Sequence, residues 1–517
     1  MKKFYLTSPI YYVNASPHIG HAYTNIICDC MARFRRIRGE NVFFLTGTDE
    51  HGEKIQKAAN AEGITTKDFI DNKVDIFKQL WPKLNISYDF FVRTSWKGHI
   101  NVVKKVIEKL YKKGDIYKSK YNAFYCIGCE TFWTKLQLKD GNKCPECGRK
   151  TEKIQEENYF FKLSKYESWF KQYLEDNPEL IRPKIRYNEV KGFLDNHPLT
   201  DLCISRPKKR ISWGIDFPID QKYIVYVWFD ALINYISAIG YGFDQEKFNT
   251  FWPADIHFIG KDILRHHAIF WPIMLKALDL KIPNCIFAHG WWKIKKEKIS
   301  KSKGNIVNPF ELIDQLTDLL AGNQALAADA FRYFLMREIP IGADGNFSFK
   351  ALISRINSDL ANDLGNLVYR SINMAQKYSG GKVEAVREDI PSEFKETIVK
   401  LEKDYDSFMS RGEFWKALDD LFALVSLTNK YIEDTKPWNL KKEAKEKELF
   451  SFLYAICEGI RIVSIYLYPI MPETSLSIQK QLGIEDASFS TQEAKWGSLD
   501  VFLIKKEKPL FPRIDVS

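Results

Sequence analysis

A doubly wound parallel α/β sheet, interrupted by a cysteine-bearing insertion and followed by an α-helical bundle, is the architecture this sequence predicts. Three observations carry it. Short apolar runs alternate with helical patterns near the N-terminus. Four cysteines fall in two tight pairs within a turn-rich stretch, and apolar residues recur at three- and four-residue steps near the C-terminus. With 517 residues, 45% hydrophobic, 27% charged and 14% aromatic, the chain has the material for three or four cores, which argues against a largely disordered protein. Its net charge of +10 permits a polyanionic partner without requiring one.

Phe4 to Leu6 and Val42 to Leu45 read as strands, each followed by a helical pattern, Tyr23 to Arg36 and Lys54 to Glu62. Tyr223 to Val227, Ile256 to Ile259 and Cys285 to Ala288 look like further strands. Turns and cysteine pairs dominate 115–215, an expected insertion between two halves of a Rossmann-like sheet domain, 1–114 and 216–290. A lysine-rich segment falls in 291–348, a helical bundle spans 349–482 on the repeat Leu352, Ile353, Ile356, Leu360, Leu364, Leu367 and Val368, and a tail covers 483–517. Phe452 to Met471 contains Glu458 and Arg461 and reads as an amphipathic helix rather than a membrane span. Arg33, Arg35, Arg36 and Arg38 read as complements to a helix C-terminus. The N-terminus has no signal-peptide pattern, and Cys28, Cys30, Cys203, Cys285 and Cys457 look like buried thiols, so a reducing cytoplasm is expected.

Pro17-His18-Ile19-Gly20-His21 lies beyond the first strand and leads into a helix. Ligands of open α/β sheets bind beyond the carboxyl ends of strands, where a helix N-terminus favours phosphates. The histidines could donate to phosphate oxygens, or simply cap a turn; Gly20 leaves room for a ring against its backbone. Lys295, Lys296, Lys298, Lys301 and Lys303 crowd one loop ending at Gly304, either a solvated surface or a grip on a polyphosphate. Together, His18-Ile19-Gly20-His21 and Lys298-Ile299-Ser300-Lys301-Ser302 resemble the paired HIGH and KMSKS signatures of class I aminoacyl-tRNA synthetases, with Ile299 where methionine is usual. The flanks are similar to the bacterial methionyl-tRNA synthetase family along essentially the whole chain: Tyr5 to Asn14, Thr46 to Gly52, Val227 to Ala231, and Phe258 to Asp262.

That resemblance implies ATP-dependent activation of methionine followed by transfer to tRNA(Met). His18, His21, Lys298 and Lys301 are then the expected catalytic groups, with Gly20, Gly260 and Asp262 also at ATP and Mg²⁺ on the phosphates. No protein nucleophile is needed, because the attacking carboxylate is already ionised; positioning and charge stabilisation carry the step. Trp228, Ala231, Leu232 and Tyr235 fall on one helical face, as do Ile263, His267 and Trp271. By periodicity alone these are core. Through the resemblance they become walls of a methionine pocket, together with Ile10 and Tyr12; Asp49 becomes the ammonium partner, and Leu232 stands where some members carry proline.

Cys126-Ile-Gly-Cys129 and Cys144-Pro-Glu-Cys147-Gly148 have the spacing of two metal knuckles. Zn²⁺ is the expected ion, structural rather than catalytic, with iron or two unrelated thiol pairs as the alternatives. Asn366 and Arg370 lie one helical turn apart, and Lys436-Pro437-Trp438 starts a later helix. Trp438 is either a packing residue or a stacking platform for a base. The resemblance makes these three the readers of the CAU anticodon, 349–482 the anticodon-binding domain, 291–348 the loop and stem-contact region, and the knuckles a guide for the acceptor end. The expected partners are therefore tRNA(Met), L-methionine and ATP, with no membrane, and the family's additional C-terminal dimerising module is not recognised before Ser517, favouring a monomer. Two rivals remain: a synthetase for cysteine, leucine, isoleucine or valine, and a zinc-knuckle RNA-binding protein without adenylate formation.

Overall fold

The computed structural model describes residues 1–127, 131–133, 135, 138–139, 141–145, 148–294, 307–388, 390–485 and 489–515. Its central sheet has six strands, all parallel, in the spatial order Phe90–Arg93, Asn41–Asp49, Lys3–Tyr12, Ile256–Gly260, Ile286–His289 and Ile181–Arg182. Chain order runs outward from Lys3–Tyr12 on one side and from Ile256–Gly260 to Ile286–His289 on the other, with the earlier strand Ile181–Arg182 added at that edge. The switch point therefore lies between Lys3–Tyr12 and Ile256–Gly260, where Leu6 pairs with Ile256. Helices cover both faces, and the strands are accordingly apolar along most of their length: Tyr5, Leu6, Phe44, Leu45, Phe258 and Ile259 are buried.

The pairing of the first two strands slips between Thr7 and Ile10, where Ser8 and Pro9 stand opposite Thr46 alone. Pro9 brings no N–H to the ladder, and Ser8 instead donates to Thr46 Oγ1 at 2.8 Å. This bulge re-aims the strand end carrying Ile10 and Tyr12.

Several expectations are corrected. Tyr223–Val225 is a strand, but it pairs antiparallel with Ser205–Pro207 in a separate ribbon rather than joining the central sheet. Both edge strands, Phe90–Arg93 and Ile181–Arg182, are too short and too mixed in sequence to announce themselves, and the second belongs to the sheet although it lies inside 115–215. The rest of that stretch builds a four-stranded antiparallel sheet from Thr131–Trp133, Ile116–Cys126, Glu152–Phe161 and Leu202–Cys203.

The helical domain does not stop at 482. Val501–Leu503 pairs antiparallel with Lys382–Glu384, and Phe502, Phe511 and Ile514 are buried. Glu446–Leu467 is long and apolar enough to cross a membrane by length and composition, yet nearly all of it is buried inside the protein. It is therefore a core helix, apolar all round rather than amphipathic, and its charges pair internally, Arg461 Nε to Glu458 Oε2 at 2.7 Å. The arginines expected to serve the helix end at Ile37 do more. Arg33 bonds Asp29 at 2.7 Å and Tyr468 at 3.2 Å, Arg35 reaches Ser410, and Arg38 pairs with Asp406, tying this helix to the helical domain.

Candidate active site

At the switch point a cavity of about 480 Å³ opens beyond the strand ends. Pro9 to Tyr12, Asp49 and Gly260 reach it from three neighbouring strands. His18, Gly20, His21 and Thr24 reach it from the first turns of Ile19–Ile37, and Val227, Trp228, Ala231, Leu232, Asn234 and Tyr235 from two short helices, Val227–Leu232 and Asn234–Ser237.

On one side the histidine turn is a reciprocal cap. The Gly20 N–H donates to His18 Nδ1 at 3.0 Å, and the His18 N–H donates to His21 Nδ1 at 3.0 Å. With both Nδ1 atoms accepting, each neutral ring carries its proton on Nε2, the nitrogen left to donate. Burial holds both imidazoles below the ordinary histidine range, His21 well below, since His18 lies beside it with ring centroids 3.9 Å apart. Capping and phosphate donation, alternatives in the sequence, are thus compatible roles of the two nitrogens of one ring. A Cβ on Gly20 would stand 2.9 Å from His18 Cε1, so glycine here makes room for the histidine ring itself.

Lys298 and Lys301 lie outside the described residues. Their segment leaves the strand Trp292–Ile294 and returns at Val307, whose carbonyl accepts from the Ile19 N–H at 3.1 Å. The returning end of the lysine segment is therefore anchored on the first turn of the histidine-capped helix. Asp262 is exposed and accepts from the Trp291 indole at 3.0 Å. Gly260 leaves room beside it: a Cβ there would meet Asp262 Oδ1 at 2.5 Å and push that side chain aside.

The opposite side is aromatic. Trp228 stacks on His266 with ring centroids 3.7 Å apart. His267 Nδ1 lies 3.0 Å from the Ile263 carbonyl and so carries the proton; Nε2 then accepts from the Tyr235 hydroxyl at 2.7 Å. Burial lowers His267 to about 4 and keeps the Tyr235 phenol well above its ordinary range, so both stay neutral. Asp49 ends its strand, nearly buried, in the same cavity.

Ile10, Tyr12, Asp49, Trp228, Ala231, Leu232, Tyr235, Ile263 and His267 all line one space. Trp271 does not. It is fully buried one layer behind, its ring 5.8 Å from that of Tyr235 and its indole N–H 3.3 Å from His257 Nε2. His266–Phe270 is π-helical rather than α-helical, so the four-residue spacing of a regular helix does not carry through to position 271. Sequence reasoning missed His289, which lines the cavity with Nε2 2.8 Å from Thr24 Oγ1, and Trp291. The signal for His289 was present: it directly follows a recognised strand, at the strand end where ligands bind.

Away from this cavity, Cys126 and Cys144 are buried together in a small cluster with Trp133. Gly148, at φ +71°, donates to the Cys144 carbonyl at 2.9 Å, closing a knuckle turn. Cys129 and Cys147 lie outside the described residues, and no group of three or more potential ligands is found among the described ones. In the helical domain Asn366 is exposed, Arg370 Nη1 stands 3.5 Å from Glu433 Oε1, and Trp438 is 45% exposed on the short helix Pro437–Lys442, next to Lys436 in the left-handed region. Exposure favours a stacking platform over a packing residue.

The family model described as class I tRNA synthetases (M) matches residues 4–157 and 142–372, which makes the sheet, its insertion and the cavity those of a class I aminoacyl-tRNA synthetase. A second, described as the anticodon binding domain of methionyl tRNA ligase, matches 379–501. The methionine–tRNA ligase of Clostridium acetobutylicum is 46% identical over the whole chain and 79% of its own length, and that of Caldanaerobacter subterraneus is equally similar. The methionyl-tRNA synthetase of Mycobacterium tuberculosis, solved in complex with methionyl-adenylate, superposes with a TM-score of 0.92 at 37% identity, over 99% of this chain and all of that one. The chain belongs to the methionyl-tRNA synthetase family.

Proposed function

We infer that the chain is a methionine–tRNA ligase: ATP and L-methionine give methionyl-adenylate and pyrophosphate, and the methionyl group then passes to the terminal adenosine of tRNA(Met). The observation that carries this is the single cavity with two chemically different sides, imidazole donors and a helix N-terminus facing an aromatic pocket that ends in a carboxylate.

The thioether suits the aromatic side, where the rings of Trp228 and Tyr235 offer polarizable contacts. Asp49 takes the ammonium, which leaves the substrate carboxylate facing the histidine turn. That carboxylate attacks the α-phosphorus, and the bond to the pyrophosphate oxygen breaks. His18 and His21 donate through Nε2 to the phosphate oxygens on which charge builds, and Lys298 and Lys301 serve the departing pyrophosphate. Bound with ATP, Mg²⁺ would supply charge neutralisation along the phosphates, beside the donors His18, His21, Lys298 and Lys301. In the second step a ribose hydroxyl of the terminal adenosine attacks the acyl carbon and AMP leaves. Gly260 and Asp262 belong on the nucleotide side.

Zn²⁺ fits the thiolate set Cys126, Cys129, Cys144 and Cys147, supported by the shared burial of two of them and the Gly148 turn, and its contribution there is structural. Asn366, Arg370 and Trp438 are assigned to the anticodon, and residues 115–215 to the acceptor end. The remaining assignments are a monomer, working in the cytoplasm.

Amino-acid-dependent ATP–pyrophosphate exchange across the twenty amino acids tests the reading. Exchange supported by methionine is expected; exchange driven instead by cysteine, leucine, isoleucine or valine, or none at all, overturns it.

A further inference from the structure

Asp230 is fully buried, is not among the residues lining the cavity above and has no part in the chemistry above, yet both of its oxygens are engaged by imidazoles. His51 Nδ1 lies 2.6 Å from Oδ2 and His99 Nε2 lies 2.6 Å from Oδ1, while His99 Nδ1 lies 2.8 Å from Ser237 Oγ. Three separate pieces of chain meet in this cluster. His51 follows Asp49 by two residues, on the segment that leaves the second strand. Asp230 sits inside Val227–Leu232, between Trp228 and Ala231, and Ser237 is two residues beyond Tyr235. His99 comes from the helix Lys97–Lys112, none of whose residues lines the cavity.

The segment between Asp49 and His51 is held from its other side as well. Glu50 is buried and accepts from Arg93 at 2.7 and 3.0 Å, from Ser95 at 2.5 Å and from Thr48 at 2.6 Å. Asp49 is therefore flanked by two engaged neighbours, and on the His51 side the contact reaches across to the helix that carries the aromatic wall. Burying a carboxylate with two imidazoles is expensive, and an apolar trio of the same volume would hold a core at least as well. What the polar cluster provides is direction, because each hydrogen bond sets a distance and an angle between two elements.

We propose that Asp230, bridged by His51 and His99, is a positioning residue that sets the distance between the ammonium-binding carboxylate of Asp49 and the wall formed by Trp228, Ala231, Leu232 and Tyr235, and so sets the length of amino acid that the site accepts. This rests on the methionine reading of the cavity. A substrate held at its ammonium end and its side-chain end measures the gap between the two. Loosening the bridge lengthens the gap, which penalises methionine and favours a longer homologue.

The test is pyrophosphate exchange with methionine and with ethionine, one carbon longer, on the full chain and on Asp230→Asn, His51→Ala and His51→Asn. His51→Asn returns an N–H donor to the place of Nδ1. For Asp230→Asn and His51→Ala the KM for methionine is expected to rise at least tenfold, the KM for ATP to stay within twofold, and the methionine-over-ethionine ratio of kcat/KM to fall at least fivefold; His51→Asn is expected to recover most of both losses. Should Asp230→Asn not fold, the two His51 variants decide. A methionine KM within twofold of wild type and an unchanged ethionine ratio in His51→Ala, with only Tm or kcat reduced, make the cluster merely structural and overturn the proposal. Absence of methionine-dependent exchange in the unaltered chain overturns the underlying reading instead, and is separately visible.

Discussion

The hydroxyl of Tyr235 donates to Nε2 of His267 across 2.7 Å because the other nitrogen of that ring is committed to the Ile263 carbonyl at 3.0 Å. A backbone atom thus chooses the tautomer, and the tautomer chooses the direction of a hydrogen bond at the wall of the cavity. Both groups are buried and neutral, so the cavity is polar at one point of that wall without carrying charge there.

Replacing Tyr235 by Phe removes the donor and leaves the His267 acceptor unmet in a buried place. Such an atom costs about 1–3 kcal/mol. The methionine KM is expected to rise roughly five- to hundredfold with the ATP KM unchanged, as read in pyrophosphate exchange; equal changes in both would place Tyr235 outside the amino-acid side.

Gly20→Ala forces a Cβ to 2.9 Å from His18 Cε1 and 3.1 Å from His18 Nδ1. The ring must swing away, losing its cap and the direction of Nε2. The folded state should lose only the cap, about 1 kcal/mol, whereas loss of an aligned donor should slow adenylate formation by about a hundredfold. Single-turnover kinetics and a denaturant titration together separate the two effects, and a normal rate would remove the histidine turn from the chemistry.

Acid should destabilise the protein as the pH falls below the ordinary histidine range. Burial holds His266 and His267 down to about 3 and about 4, and His21 and His257 lie well below the ordinary 6.5. Below pH 6.5 the unfolded chain binds protons that the folded chain refuses, so stability falls as pH falls through that range. At pH 5.5 His266 and His267 each cost about 1 kcal/mol, and His21 and His257 act in the same direction. Asp329, pushed up to about 7 by burial, acts in the opposite sense, since its folded form takes up the proton first, and returns about 2 kcal/mol over the same interval. The sum is a lower urea midpoint at pH 5.5 than at pH 7.5; equal midpoints would mean that these rings are solvated.

Trp438→Ala removes a side chain that is 45% exposed, so Tm should hold. A base stacked on it is worth about 1–3 kcal/mol. Aminoacylation of tRNA is expected to fall at least tenfold while pyrophosphate exchange stays near normal, and parallel losses in both would contradict the anticodon assignment.

Elemental analysis is expected to return about one zinc per chain. Cys144→Ser should lower that content and the midpoint of unfolding together, with methionine-dependent exchange largely retained, because neither Cys126 nor Cys144 lines the cavity; a fully folded, metal-free protein would retire the zinc assignment.

Much of this molecule is legible in its residues, for local reasons. The strand at Ile256, the helix after His18, the helix opened by Pro437 and the cysteine pairs depend on short-range pattern, on caps and on turn chemistry, and these operate over a few residues. Trp228, Ala231, Leu232 and Tyr235 could be placed on one face because two short helices continue each other closely enough for spacing to hold. Trp271 could not, because a π-helical turn leaves no mark in apolar periodicity.

By itself, then, the sequence determined many of the elements that form, which residues could carry phosphate and amino-acid chemistry, and, through its motifs, the family. Only the tertiary structure decided that Ile181–Arg182 closes the sheet edge, that Glu446–Leu467 is wrapped on all sides, that Val307 docks on Ile19, and that Asp230 joins two walls of one cavity. Those are contacts between segments distant along the chain. Their free energy depends on what packs against what, which no window of neighbouring residues contains.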